Sequence, residues 1–397
     1  MSNSATRLKA TEPPGSSAPS RNPGIDLLRG LSIVLVVIHH VGLRIPLKQG
    51  VLALFLPKWF LGALIYNGYE AVFVFFVISG FLITSNTLAR WGTLGAIDVR
   101  TFYVRRAARI VPCLLILVAV LSALHLVGAR EYVIHHANQS LPRAIFSALG
   151  LHLNWYEGLT GYLPGNWDVL WSLSIEEVFY LGFPLLCLGL RRNWILVPAL
   201  ALLALSLPAS RAALSGNAIW QEKAYLPGMA AIAMGVLGAL AAARLRPQPR
   251  WLLSLLTVIG SVGLVAVFCF EGKLWRILGN GTILLLTLSA VCLVLAFHLQ
   301  ARDATLRPVW GTGWLRSFGR LSYEIYLTHM FMVWPVIRVF RAKGGNLWWG
   351  FLWYLPVVAA SWLLGWLVAR YLSTPGEQAM RRSLMKAPLQ PSQAQDQ

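Results

Sequence analysis

An arginine and a histidine eleven residues apart, Arg29 and His40, stand inside one apolar run, IDLLRGLSIVLVVIHHVGL. If the run is helical, eleven steps of about 100° bring both to one face, about 16 Å apart along the axis. A guanidinium and an imidazole are costly in hydrocarbon unless protein or water meets them, which marks the pair for chemistry rather than anchoring. Imidazole titrates near neutral pH and can take a proton from an attacking hydroxyl, so His40 is a candidate general base. Its neighbour His39 is rotated by about 100° and faces elsewhere. Asp26, three residues before Arg29, is spaced to pair with it along the helix surface.

Three further segments carry polar groups where packing alone would not put them. In WDVLWSLSIEEVFYLGFP (167–184), Glu176 and Tyr180 are four apart on one helical face, with Ser172 one turn earlier and Glu177 pointing elsewhere. In LSYEIYLTHM (321–330), Tyr326 and His329 stand three apart, a second imidazole with its own hydroxyl neighbours. In RTFYVRRAARIVP (100–112), Arg106 and Arg109 are helical neighbours with Arg105 beside them. Such a cluster marks topology or a lipid headgroup, or clamps the phosphates of a nucleotide-like donor, since arginine meets phosphate through two parallel hydrogen bonds. Ser79 and Gly80, in EAVFVFFVISGFLIT, are small enough for close helix contact.

The elements that position these residues are membrane spans. Of 397 residues 57% are hydrophobic and 12% charged, against about 25% charged in soluble domains; mean hydropathy is +0.61. Apolar stretches of spanning length occur at 25–45, 59–86, 108–128, 171–190, 193–209, 226–244, 252–270, 281–299, 317–340 and 349–372. The expected fold is therefore an all-α polytopic membrane protein of about ten helices, with a short re-entrant or interfacial helix in the 129–170 loop. Residues 1–24 and 374–397 read as disordered polar tails around a membrane domain at 25–373, and residues 1–24 lack the apolar core of a signal peptide. Of the 34 Lys and Arg, 21 fall on the side of the termini and 12 on the other. That bias predicts both termini in the cytoplasm, and it accounts for the net charge of +19 without a nucleic-acid partner. The four cysteines sit in apolar sequence with no metal-ligand spacing, so packed free thiols and no metal are expected.

Five segments together resemble the acyltransferase-3 family of bacterial integral membrane acyltransferases: IDLLRGLSIVLVVIHH (25–40, an R-x10-H), FFVISGFLIT (75–84), RRAARIVP (105–112, an R-x-x-R), WSLSIEEVFYLGFPLL (171–186) and LSYEIYLTHMFMVW (321–334). The resemblance implies an O-acyltransferase in a bacterial inner membrane. It would move an acyl group, usually acetyl, from cytosolic acyl-CoA to a hydroxyl of a glycan, glycolipid or small acceptor. It implies that Arg29 and His40 are essential, that Arg106 and Arg109 lie at the cytoplasmic face, and that Glu176 is near the reaction centre. On that reading Arg105, Arg106 and Arg109 bind the CoA phosphates, and Glu176 orients His40 or binds sugar hydroxyls. Arg29 is held by Asp26, while Tyr180, Tyr326 and His329 complete the lining. The competing class is a proton-coupled transporter or flippase, which also uses intramembrane His, Glu and Arg; the sequence shows neither a repeated half nor a pair of interrupted helices.

Overall fold

A computed structural model describes residues 21–190 and 192–385; among them every regular element is helical and nine helices are long and apolar enough to cross a membrane. The first is α1 (Pro23–Gly42). Asn22 caps it by accepting from the amides of Gly24 (3.0 Å) and Ile25 (3.1 Å), and proline opens its first turn. The second apolar run does not make one helix. After α2 (Leu52–Phe55) it gives α3 (Lys58–Tyr66) and α4 (Gly68–Trp91), broken at buried Asn67, whose Nδ2 donates to the carbonyls of Ala63 (2.5 Å) and Phe268 (2.7 Å).

Next comes α5 (Val99–Leu126), capped by the Asp98 carboxylate. The connection expected to hold one short helix holds three: α6 (Leu141–Leu149), α7 (Leu153–Thr160) and α8 (Gly165–Asp168). The chain continues through α9 (Leu170–Gly189), α10 (Asn193–Leu205), α11 (Leu207–Ala212), α12 (Ala218–Lys223), α13 (Tyr225–Arg244), α14 (Arg250–Leu278) and α15 (Gly281–Arg302). The stretch expected as one span at 317–340 is three pieces, α16 (Gly313–Arg320), α17 (Ser322–Thr328) and α18 (Met330–Ala342). At the break before α18 the His329 ring bonds, through Nδ1, the Tyr326 carbonyl (2.8 Å) that the Met330 amide would meet in a continuous helix. Interrupted helices invisible in the sequence are therefore present at Asn67, Leu321 and His329.

Last are α19 (Tyr354–Val368) and α20 (Thr374–Leu384). The expectation of a disordered tail from 374 is corrected by α20, which packs along α5 with Gly376 against Pro112. A proline in its first turn and a Glu377–Arg381 ion pair (2.5 Å) one turn apart favour helix there. Residues 1–20 and 386–397, the rest of both expected tails, lie outside the described residues.

Two helix crossings at the core depend on missing side chains. A Cβ on Gly80 of α4 would run into the Ile232 carbonyl of α13, and one on Gly235 of α13 into the Val77 carbonyl of α4. The same reciprocity joins α1 and α16, where Gly30 faces Leu315 and Gly319 faces Asp26, backbone against backbone. With lipid as solvent, such close approach supplies the dispersion contacts that hydrophobic burial supplies in water. α13 lies deep in the bundle and α14 at its periphery.

Candidate active site

The C-terminal end of α1 brings three imidazoles together. The His40 ring lies 5.3 Å from that of His39 and 4.9 Å from that of His329, both edge to face. Each ring bonds a backbone carbonyl through Nδ1: His40 to Val36 (2.9 Å), His39 to Ile65 (2.8 Å), His329 to Tyr326 (2.8 Å). A carbonyl only accepts, so in each neutral ring Nδ1 holds the proton and Nε2 carries the free lone pair. His329 is fully buried and its Nε2 has no partner among the described residues. His39, set aside by helical rotation, belongs to this cluster because its ring reaches the end of α3. No group of three or more His, Cys, Asp or Glu among the described residues is arranged to hold a metal ion.

Tyr326 links the histidines to α9. Its hydroxyl accepts from Ser172 Oγ (2.7 Å) and its ring lies 6.1 Å from that of His329. Arg44, one turn beyond His40, donates to the His40 carbonyl (2.7 Å) and lies 4.2 Å over the Trp334 ring.

Nearer the termini, the glutamate pair meets an arginine and two hydroxyls. Glu176 accepts from Ser79 Oγ (2.5 Å) on α4 and from Tyr180 OH (2.6 Å) one turn along its own helix. Arg106 of α5 sits 3.7 Å from Glu176 and 3.5 Å from Glu177, with its guanidinium 3.6 Å over the Tyr180 ring. Arg106 thus faces both glutamates and the Tyr180 ring, while its Nε has no partner among the described residues. Arg109 is exposed, with Tyr323 5.8 Å away, and half-buried Arg105 leaves its Nε without a partner. Glu176 does not orient His40: no hydrogen bond joins them among the described residues, and the Val36 carbonyl does that work.

The expected Asp26–Arg29 pair is also corrected. Asp26 pairs with Arg21 (3.2 Å), while Arg29 donates through Nε (3.1 Å) and Nη2 (2.8 Å) to Ser322 Oγ of α17. Three residues along a helix leave Arg29 leaning across the bundle, where Ser322 offers a buried acceptor, and Asp26 turns back to the helix end. Ser322 was legible in principle: it precedes Tyr326 and His329 by four and seven residues, on one helical face.

A family model described as an acyltransferase domain matches residues 22–370. The chain belongs to the acyltransferase-3 family. Curated relatives of this acyltransferase include the peptidoglycan O-acetyltransferase OatA of Listeria monocytogenes, 25% identical over 379 residues that cover 89% of this chain and 55% of the relative. The O-acetyltransferase OatA of Staphylococcus aureus is 31% identical over 179 residues, 42% of this chain and 25% of that protein. The chain thus spans about half or less of the curated relatives it matches. No solved structure matches it.

Sequence reasoning missed buried charges, Arg211 among them. Lys223, at the end of α12, binds Glu157 of α7 (2.9 Å) and Asp168 of α8, and all three come from short segments whose sequence carries no periodic signal.

Proposed function

We propose that this protein is a membrane O-acetyltransferase that moves the acetyl group of acetyl-CoA to a hydroxyl of a glycan or glycolipid. The observation that carries the reading is the His40 imidazole, fixed through Nδ1 so that its basic Nε2 is free, in a family whose matched relatives are named O-acetyltransferases. His40 Nε2 takes the proton of the acceptor hydroxyl while the hydroxyl oxygen attacks the thioester carbonyl carbon. The C–O bond forms, the tetrahedral oxyanion collapses, the C–S bond breaks, and the CoA sulfur leaves with the proton from His40. General-base catalysis is worth roughly 10²–10⁴-fold, and holding donor and acceptor together adds to it.

Arg29 is too far along α1, about 16 Å by helical rise, to meet an oxyanion at the tip of His40. Held by Ser322, it is better suited to position the extended arm of the donor. Exposed Arg109 and the half-buried Arg105 suit the CoA phosphates, while Arg106, with Glu176 and Tyr180, supports the helices between. The bias of basic residues favours the termini, Arg105 and Arg109 on the cytoplasmic side of a bacterial inner membrane, where CoA is made, with the histidine end facing out. The Listeria relative is named for peptidoglycan, which favours a glycan acceptor.

The test uses purified protein in nanodiscs with acetyl-labelled acetyl-CoA and a crude glycolipid extract. Label should pass from CoA to an acceptor in wild type and not in His40→Ala of equal thermal stability. Full transfer by the variant would remove His40 as base, and no loss of label from CoA with folded wild-type protein would refute the transferase.

A further inference from the structure

The face of α1 that carries Arg29 and His40 does not end at the histidine. The Ile45 amide bonds the Val41 carbonyl (2.8 Å), which carries the helical path past Arg44, so Arg44 lies one turn beyond His40 on the same face. Both side chains lean back toward the start of the helix. His40 Nδ1 bonds the Val36 carbonyl (2.9 Å) and Arg44 Nη1 the His40 carbonyl (2.7 Å), each four residues earlier. The imidazole and the guanidinium therefore keep an offset of one turn, about 6 Å by helical rise.

Each group has capacity left over. His40 Nε2, Arg44 Nε and Arg44 Nη2 make no hydrogen bond among the described residues. Both side chains are half-buried, and none of the three nitrogens is among the enclosed polar atoms without a partner, so solvent still reaches them. Arg44 also has no carboxylate partner among the described residues. Asp168, the acid within its electrostatic reach, is paired with Lys223, and Arg341 adds a second positive charge. The charge of Arg44 reaches all three imidazoles. A half-buried cation beside the base, with no fixed counter-charge, suits a negative charge that appears only during reaction.

We infer that Arg44 is a further catalytic residue, the donor that stabilises the oxyanion of acetyl transfer. One tetrahedral carbon spans about 6 Å when one of its oxygens is bonded to His40 Nε2 and another to Arg44, each at about 2.7–3.1 Å. As the acceptor oxygen bonds to the thioester carbonyl carbon, the π pair of the C=O bond moves onto the carbonyl oxygen. Arg44 donates an N–H to that oxygen. When the C=O bond re-forms, the C–S bond breaks and the CoA sulfur leaves with the proton from the His40 imidazolium. Arg44 keeps its own protons throughout. Trp334, whose ring lies 4.2 Å beneath the guanidinium, is a positioning residue. The role rests on the transferase reading and supplies what Arg29, three turns back, cannot.

The test follows transfer from acetyl-labelled acetyl-CoA to a crude glycolipid extract, by protein in nanodiscs. Arg44→Ala should lose about 10²–10³-fold in kcat. Its Tm should match wild type, and the acetyl-CoA Kd and the apparent KM for the extract should stay within two-fold. Arg44→Lys keeps the charge and should regain ten-fold or more over the alanine variant. Arg44→Gln keeps a donor for the His40 carbonyl without the charge and should not. Where the alanine variant melts early, the lysine and glutamine variants decide between them. Recovery by glutamine and not by lysine would make Arg44 a brace for the helix end and overturn the assignment, as would a kcat within three-fold of wild type in Arg44→Ala. A higher KM for the extract at unchanged kcat would also overturn it, and would give Arg44 a fixed anion on the acceptor instead. A folded wild type that never moves acetyl from CoA would refute the transferase reading, and the role of Arg44 with it.

Discussion

The cluster around Arg106 and the cluster around His40 both put ionisable groups inside a membrane protein, and they treat them in opposite ways. Around Arg106 the charges answer one another: Glu176 has Ser79, Tyr180 and the guanidinium, and Glu177 has the guanidinium as well. Around His40 the rings are fixed through Nδ1 to backbone carbonyls, down to a fully buried His329 whose Nε2 has no partner among the described residues. The first arrangement ties α4, α5 and α9 together, whereas the second keeps imidazole lone pairs free of protein partners. Motif matching gives both sets of residues the same weight, and only their hydrogen bonds separate the two.

That contrast breaks first, if it breaks, at His40. Replacing it by alanine should cost roughly 10²–10⁴-fold in acetyl transfer with little change in thermal stability, because the ring's lost bond is to a carbonyl of its own helix. Transfer rate per folded molecule is the measurement, and a variant that melts early instead would class His40 with the Arg106 cluster.

Arg106→Ala should behave in the reverse sense. It leaves both Glu176 and Glu177 without their cation. Breaking a buried pair costs about 3–5 kcal/mol, and side chains still a quarter exposed to solvent put this one near the lower end. The expected result is a clear fall in Tm and yield, with the folded fraction still turning over acetyl-CoA. Intact stability with abolished donor binding would instead return Arg106 to phosphate recognition.

How far these roles could be read beforehand follows from what a sequence pattern measures. Apolar run length found the spanning regions, and helical spacing put Arg29 and His40 on one face and Glu176 beside Tyr180, as the structure has them. Run length averages over side chains, so it passed over the breaks at Asn67 and His329, where a polar side chain meets helix carbonyls. Spacing says which residues share a face and nothing about what crosses to meet them, so Arg29 was matched with Asp26 rather than with Ser322, nearly three hundred residues away. Composition likewise took Thr374–Leu384 for a tail, because its stability comes from α5 and not from its own apolar content.

Ser322→Ala sharpens the comparison from outside it, since Arg29 bonds Ser322 and belongs to neither cluster. A hydrogen bond to a charged group is worth about 1.5–3 kcal/mol, so losing this acceptor should lower kcat/KM roughly 10- to 100-fold. If Arg29 positions the donor, the loss appears in the KM for acetyl-CoA, with the acceptor KM unchanged. A fall confined to Tm would place the Arg29–Ser322 contact among the structural ones.

The smallest effect belongs to α20, which touches neither cluster. The Glu377–Arg381 pair lies one turn apart on a partly solvated helix, and such pairs contribute about 0.3–0.5 kcal/mol. Glu377→Ala should therefore shift Tm by a degree or two at most and leave transfer kinetics alone. Arg381 lies close to Arg105, however, and Glu377 is the carboxylate that offsets both charges. If removing it lowers the KM for acetyl-CoA measurably, the positive field at Arg105 reaches the donor, and α20 contributes to the binding surface that the Arg106 cluster does not provide.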